Sequence, residues 1–298
     1  MSTSTRASSL IAVLALATAA LAATGERPIL TGDVRQYQVM RGDTLGLVAA
    51  RFGLEAPVLA RDNGLKANAR LQVGDTLEID NRHIVPQGYD DGIVVNLPQR
   101  RLFLFRNGAL QESYPVAVGS GGWKTPTGDF SVIEKEVDPA WNVPASIQAE
   151  MAREGKPVVT RVGPGPDNPL GSRWIRIHGA IGIHGTNAPS SIFKYTTHGC
   201  IRMATEDVEH LFELIREGDP VAVIYEPVLA AKDGGDVFVE VHRDPYGRGG
   251  VSRAALAKAL EAAGAGEMAS HPELAAVLKQ REGRAVSLTA RATAAAER

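Results

Sequence analysis

The chain has 298 residues, room for one large domain or two modest ones, and its 44% apolar and 22% charged residues exclude disorder of the whole chain. Lys and Arg number 32 against 34 Asp and Glu, a net charge of −2, so no bulk positive charge is available for binding nucleic acid. The one cysteine, Cys200, excludes an intrachain disulfide and a multi-cysteine zinc or iron–sulfur site, while 31 Gly and 17 Pro favour turn-rich β-structure over a helical bundle.

Residues 1–22 read as a secretory signal peptide: Arg6 supplies the positive start, residues 10–21 are apolar except for Thr18, and Ala20-Leu21-Ala22 is a small-residue cleavage signal. The run is shorter than the ~20 residues a membrane span needs, and no cysteine near the cut offers a lipid attachment point. These features predict an exported protein of the periplasm or cell envelope with no stable membrane insertion once the signal is removed. Its lone thiol would then sit in an oxidising compartment, where an unused cysteine is a liability.

Residues 36–80 predict a small β-α-α-β unit. Residues 36–40 (QYQVM) alternate like a strand, and Asp43 or Thr44 can cap a helix. Leu45, Val48, Ala49 and Phe52 recur at helical spacing before Gly53 stops the helix. A second short helix is expected over 57–63, and a last strand over 76–79. Residues 81–91 (NRHIVPQGYDD) are polar and turn-rich and read as a linker.

From residue 92 to 226 the pattern is mostly β. Strands are expected at 93–97, 101–105, 110–118, 129–134, 174–177, 182–184 and 221–225, with the Asn107-Gly108 hairpin signal before the third. Residues 135–172 hold six prolines and read as a long ordered loop, the kind that commonly serves as a lid. Val208, Leu211, Phe212 and Ile215 predict the one main helix. In the 229–298 extension, 237–241 suits a strand and 252–263 and 272–280 suit helices. Its end (LTARATAAAER) reads as frayed.

The chemistry concentrates in His184-Gly185-Thr186-Asn187 and Thr197-His198-Gly199-Cys200-Ile201-Arg202-Met203. A cysteine nucleophile needs a nearby base or cation to become thiolate at neutral pH. His184 ends a strand, Cys200 follows 16 positions later on a glycine-flanked turn, and a loop of that length can bring the two together. Gly199 leaves space for backbone N–H groups to face a substrate carbonyl. The same residues also suit a buried structural cysteine beside satisfied histidines. His178 reads as a satisfied core histidine, Lys124 as solvated, and Trp123 and Trp141 either line a groove or pack under loops.

Two resemblances narrow this. Tyr37-x-Val39-x-x-Gly42-Asp43-Thr44-Leu45, Ala49-x-x-Phe52-Gly53, Asn63-x-Leu65 and Leu71-x-x-Gly74-x-x-Leu77-x-Ile79 resemble a LysM domain, which implies binding to glycan strands containing N-acetylglucosamine, such as those of peptidoglycan. The His184 and Cys200 motifs, with Gly122-Trp123-Lys124-Thr125-Pro126-Thr127-Gly128 and Pro164-Gly165-Pro166-Asp167-Asn168-Pro169-Leu170-Gly171, resemble the YkuD-type L,D-transpeptidases. That resemblance implies a mainly β catalytic domain, a β-sandwich with one main helix, beside the small βααβ LysM domain. It implies Cys200 as nucleophile, His184 as general base and acid oriented by the Gly185 carbonyl, and His198 and Gly199 flanking the nucleophile. Backbone N–H groups of Gly199 and Cys200 would form the oxyanion hole. Thr197, Trp123, Asn187 and Arg202 would meet substrate. Arg202 stands where many members carry Asn, and it suits either a stem-peptide carboxylate or a salt bridge inside the fold.

The implied reaction needs no cofactor or metal. It takes a peptidoglycan stem tetrapeptide ending in diaminopimelate–D-alanine, forms a Cys thioester, and passes it to an amine of another stem peptide or of a wall-anchored lipoprotein. Water as acceptor would make the protein an L,D-carboxypeptidase. Two rivals are a catalytically inactive peptidoglycan-binding wall protein, which the intact His184/Cys200 pair opposes, and a metallohydrolase using His178, His184, His198 and Cys200, which lacks the usual ligand spacing.

Overall fold

Thr44, whose side chain accepts from the Leu47 N–H at 3.2 Å, starts a helix that Gly53 ends in the left-handed conformation (φ 69°). In the computed structural model, which describes residues 29–289, this helix is α1 (Leu45–Phe52), and α2 (Ala56–Asp62) follows it. After a first short strand, β1 (Leu30–Thr31), strands β2 (Val34–Gln38) and β3 (Thr76–Asp80) pair antiparallel beneath the two helices. Val39, Leu45, Val48, Leu59, Leu77 and Ile79 form their shared core. The expected signal peptide lies outside the described residues.

The stretch expected to be a linker is a packed joint. β4 (His83–Ile84) pairs with β1, and His83, Ile84 and Val85 are fully buried. Composition misled here because the polar His83 is buried on partners distant in sequence.

Next come β5 (Gly92–Asn96), β6 (Arg101–Arg106), β7 (Ala109–Pro115), β8 (Val118–Gly119), β9 (Gly128–Ser131) and β10 (Glu134–Val137). The expected loop over 135–172 instead contains β11 (Trp141–Asn142), α3 (Ala145–Arg153) and β12 (Arg161–Val162). Then follow β13 (Arg173–His178), β14 (Ile181–His184), β15 (Tyr195–Thr197), β16 (Ile201–Arg202), α4 (Thr205–Leu214) and β17 (Pro220–Ile224).

Two sheets face each other, one ordered β7-β6-β5-β17-β9 and the other β10-β13-β14-β16. Ile93, Leu102, Leu104, Val221 and Val223 of the first meet Ile175, Ile183 and Ile201 of the second, with Val208 and Leu211 of α4 closing the core. Val94, Phe103, Phe105 and Ala222 pack on the opposite face of the first sheet. Burial on both faces explains why these strands read as continuous apolar runs rather than alternating ones.

The extension is also folded. β18 (Val228–Asp233), β19 (Asp236–Val241) and β20 (Ala285–Ser287) form an antiparallel sheet, with α5 (Arg253–Ala262) and α6 (Leu274–Gln280) packed on it. Leu288, expected in a frayed end, is fully buried. The protein is mainly β, a two-sheet sandwich beside a βααβ module, with α3 as a helix the sequence pattern did not predict.

Candidate active site

Strand pairing brings the two motifs together. β14 lies parallel to β16, with Ile183 opposite Ile201 and His184 opposite Arg202. The residues before β16 turn sharply at Gly199, whose φ of 107° belongs to the glycine-favoured region. A side chain there would also stand 3.0 Å from Ile181 Cδ1. Cys200 and His184 consequently line one cavity of about 890 Å³, together with Arg202, Thr197, Trp123 and His198.

His184 is buried, and its Nδ1 lies 2.7 Å from the Gly185 carbonyl. A carbonyl oxygen only accepts, so the proton sits on Nδ1 and Nε2 carries the lone pair. Burial holds this imidazole down at about 3, and the Arg202 cation adds to the effect. Burial pushes the Cys200 thiol up, opposed by a Gly182 backbone hydrogen bond and by Arg202. The sulfur lies 3.7 Å from the Ala180 carbonyl, to which a thiol can donate. Both shifts favour the uncharged thiol and imidazole over a thiolate–imidazolium pair.

The turn around the nucleophile is held internally. Thr197 Oγ1 donates to the Cys200 carbonyl at 2.5 Å and accepts from the Gly199 N–H at 3.3 Å. The hydroxyl of Thr197 is thus spent on the turn, and the Gly199 N–H, expected to face a substrate oxygen, is engaged by it.

Arg202 donates from Nη1 to Ser191 Oγ at 2.9 Å, while its buried Nε has no hydrogen-bond partner among the described residues. Among the described residues no carboxylate pairs with it, so the salt-bridge alternative is not the arrangement found. Burial lowers the affinity of its guanidinium for the proton, and the Cys200 sulfur opposes that shift.

His198 and Trp123 share a partner that the sequence did not single out. Glu150, on α3, accepts from His198 Nε2 at 2.5 Å and from the Trp123 indole at 3.3 Å, with the two rings 5.1 Å apart. Asn187 is exposed and outside the cavity lining, and its amide donates to the Asp167 carbonyl at 3.0 Å. It ties down the 164–171 loop instead of meeting the cavity. His178 is exposed, with its ring against Phe130, and is neither a core residue nor part of the lining. Among the described residues, no group of three His, Cys, Asp or Glu side chains could hold a metal ion.

Residues 90–223 match the family model of the L,D-transpeptidase catalytic domain, YkuD, and residues 37–80 match that of the LysM domain. The chain is 35% identical over 208 residues to a Salmonella typhimurium protein, ErfK/SrfK, named as a probable L,D-transpeptidase, covering 67% of this chain and 65% of that one. It is 36% identical over 172 residues to the similarly named YbiS of Escherichia coli, covering 57% and 56%. The chain thus spans under two-thirds of the length of these two relatives. Against YkuD of Bacillus subtilis, provisionally named for the same activity, it is 32% identical over 194 residues and covers 97% of that protein. Among solved structures, the catalytic domain of the Enterococcus faecium L,D-transpeptidase is similar at 23% identity and a TM-score of 0.36, covering 45% of this chain and 97% of that one. On the sequence matches, this chain belongs to the L,D-transpeptidase family and carries both a YkuD-type catalytic domain and a LysM domain.

Proposed function

We propose that the chain is an exported peptidoglycan L,D-transpeptidase that works through a thioester on Cys200. The observation that carries this reading is that Cys200, His184 and Arg202, whose buried Nε has no partner among the described residues, line one cavity large enough for a peptide. The stem tetrapeptide enters with its terminal carboxylate against Arg202, whose fork suits bidentate pairing. His184 Nε2 takes the thiol proton as the sulfur attacks the diaminopimelate carbonyl. The C–N bond to D-alanine then breaks, and the same proton returns to the departing amine. An S–C bond now joins Cys200 to the tripeptide. An acceptor amine attacks this carbonyl, gives its proton to His184, and displaces the thiol. The acceptor is a second stem peptide or a lysine of a wall-anchored lipoprotein.

Two features support this sequence of steps. The Nδ1 proton on Gly185 leaves His184 in the tautomer a general base requires. Both shifts favour the uncharged pair, in keeping with proton transfer that accompanies attack instead of preceding it. The Cys200 N–H is assigned to the developing oxyanion, since the Gly199 N–H already meets Thr197. Residues 36–80 hold the enzyme on glycan strands and raise the local concentration of stem peptides.

The test is to incubate the full mature protein with purified muropeptides and identify products by mass spectrometry. An acyl adduct on Cys200 and a cross-linked dimer are expected. Tripeptide alone would identify water as acceptor and make the protein a carboxypeptidase. No adduct and no product would reject the enzymatic reading in favour of a wall-binding protein.

A further inference from the structure

Among the described residues after 226, Tyr246 enters the core of the sandwich. It is buried there between the two sheets, although it lies beyond the span matched by the catalytic-domain family. Its hydroxyl donates to the Gly119 carbonyl at 2.8 Å and accepts from the Thr125 N–H at 3.1 Å. Thr125 Oγ1 in turn accepts from the Gly119 N–H at 2.9 Å. The phenol thus closes the base of the 119–125 turn, whose Trp123 and Lys124 line the cavity.

That turn bears on the residues that flank the nucleophile. The strand leading into it grips the Cys200 segment on both sides. Ala117 and Arg202 exchange two backbone hydrogen bonds of 2.8 Å, and the Ser120 N–H donates to the Thr197 carbonyl at 3.0 Å. On the far side, the Lys124 carbonyl lies 3.6 Å from where a side chain on Gly199 would begin.

Tyr246 itself is seated by Tyr225 and Lys124 of the sandwich and by Asp244 and Arg248 beside it in the chain. Its N–H donates to Tyr225 Oη at 3.1 Å, and that hydroxyl donates to Asp244. The two rings stack at 5.5 Å, and the Arg248 guanidinium lies 4.8 Å from the Tyr225 ring centre. Lys124 Nζ donates back to the Tyr246 carbonyl at 2.9 Å. A core residue needed only for its volume would not use both hydrogen-bonding capacities of its hydroxyl on one turn.

We propose that Tyr246 is a positioning residue for Cys200, its hydroxyl fixing the Gly119–Thr125 turn against which the flanking residues Thr197 and Gly199 rest, so that the extension is part of the catalytic unit. This rests on the thioester reading of the site. Tyr246→Phe in the full-length protein removes the hydroxyl and keeps the ring. The rate of Cys200 acylation by a tetrapeptide muropeptide is followed by intact mass, with the thermal midpoint measured in parallel.

The limiting acylation rate is expected to fall about tenfold, within what a displaced catalytic group commonly costs, while the half-saturating substrate concentration stays within about twofold. The midpoint should move by only a few degrees. Thr125→Val, which removes the second tie to Gly119, should act in the same direction. An unchanged acylation rate, a change confined to half-saturation, or a loss matched by an equal loss of folded protein would overturn the inference. Alkylation of Cys200 by iodoacetamide separates this from the functional reading. If the wild type forms no thioester, that reading fails, and Tyr246→Phe must still change the alkylation rate several-fold for the positioning role to stand.

Discussion

Cys200 and His184 are each displaced from their ordinary acidity in the direction that burial dictates, the thiol up and the imidazole down to about 3. The two shifts together oppose the charged pair. A site with a preformed thiolate alkylates at a rate that is flat through neutral pH. Here the rate of Cys200 alkylation should climb steadily as pH rises into and past the ordinary thiol range, because more thiolate forms at each step. A plateau between pH 5 and 8 would show that the pair is charged at rest. His184→Ala should lower turnover by about 10²–10⁴-fold, the usual worth of general acid–base catalysis. His178→Ala should leave turnover unchanged and stability within about 0.5 kcal/mol, as expected of an exposed position. Equal losses for the two variants would contradict this assignment of the base. The motif spacing made it legible that Cys200 and His184 meet in one cavity, and the family resemblance implied the Gly185 carbonyl beside His184. The placement of His178 was legible too, and was misread. Ile175 and Ile177 point inward along β13, so strand alternation sends His178 outward. Glu150 and Tyr246 carried no such signal, since each meets its partners only after folding, and Thr125 was visible only as part of the family-like 122–128 stretch.

At the scale of the element, α3 explains why the segment 135–172 did not read as structured. No residue of this nine-residue helix is buried, and its apolar side amounts to Ile147 and Met151 set among polar and alanine positions, too short a repeat to mark a helix by itself. Its neighbours Pro139 and Pro144, with Ser146 and Ile147 of the helix itself, line the cavity, while Glu150 ties it to His198 and Trp123. The His198 hydrogen bond holds the Glu150 carboxyl below its usual range, so this tie persists into mildly acid solution and is lost as the carboxylate takes up a proton. Glu150→Gln should loosen α3 without unfolding the sandwich. Hydrogen exchange in residues 145–153 should speed up several-fold while exchange in β5 and β6 stays unchanged. Exchange that is unaltered in α3 would show that the helix is held by something other than this side chain. Strands β5, β6 and β17 were legible for the opposite reason: buried on both faces, they present unbroken apolar runs.

Across the whole molecule, the modules meet over buried polar groups that no local pattern announces. Glu240, fully buried on β19, accepts from His83 Nδ1 at 2.9 Å, His242 Nε2 at 2.7 Å, Gln99 Nε2 at 3.1 Å and the Ile84 N–H at 2.6 Å. His83 Nε2 reaches the Gly53 carbonyl at 3.1 Å, so one carboxylate joins the extension to the sandwich and, through His83, to the LysM-type helix. A side chain on Gly53 would meet Arg101 Nη2 at 2.6 Å, which makes that glycine a requirement of the joint as well as a helix stop. Arg100 adds a second tie, donating to Glu55 at 2.8 Å and to the Phe193 carbonyl at 2.9 Å. Pairing residues 157 positions apart is a property of the folded chain, which is why residues 81–91 looked like a linker. The partners hold the Glu240 carboxyl well below its ordinary value of 4.5. A carboxylate with a depressed folded value contributes stability that is complete above the ordinary value and lost as pH falls through the folded one. Breaking a buried, hydrogen-bonded charge from one side commonly costs about 3–5 kcal/mol, so Glu240→Gln should lower the thermal midpoint at pH 7 by on the order of 10 °C. The gap between wild type and variant should then narrow as pH is lowered below 4.5, where the wild-type carboxylate loses its advantage. Thermal melts of both proteins from pH 7 to pH 3 decide it: a gap that is small at pH 7, or that keeps its size down to pH 3, would mean that the ionised Glu240 does not hold the modules together.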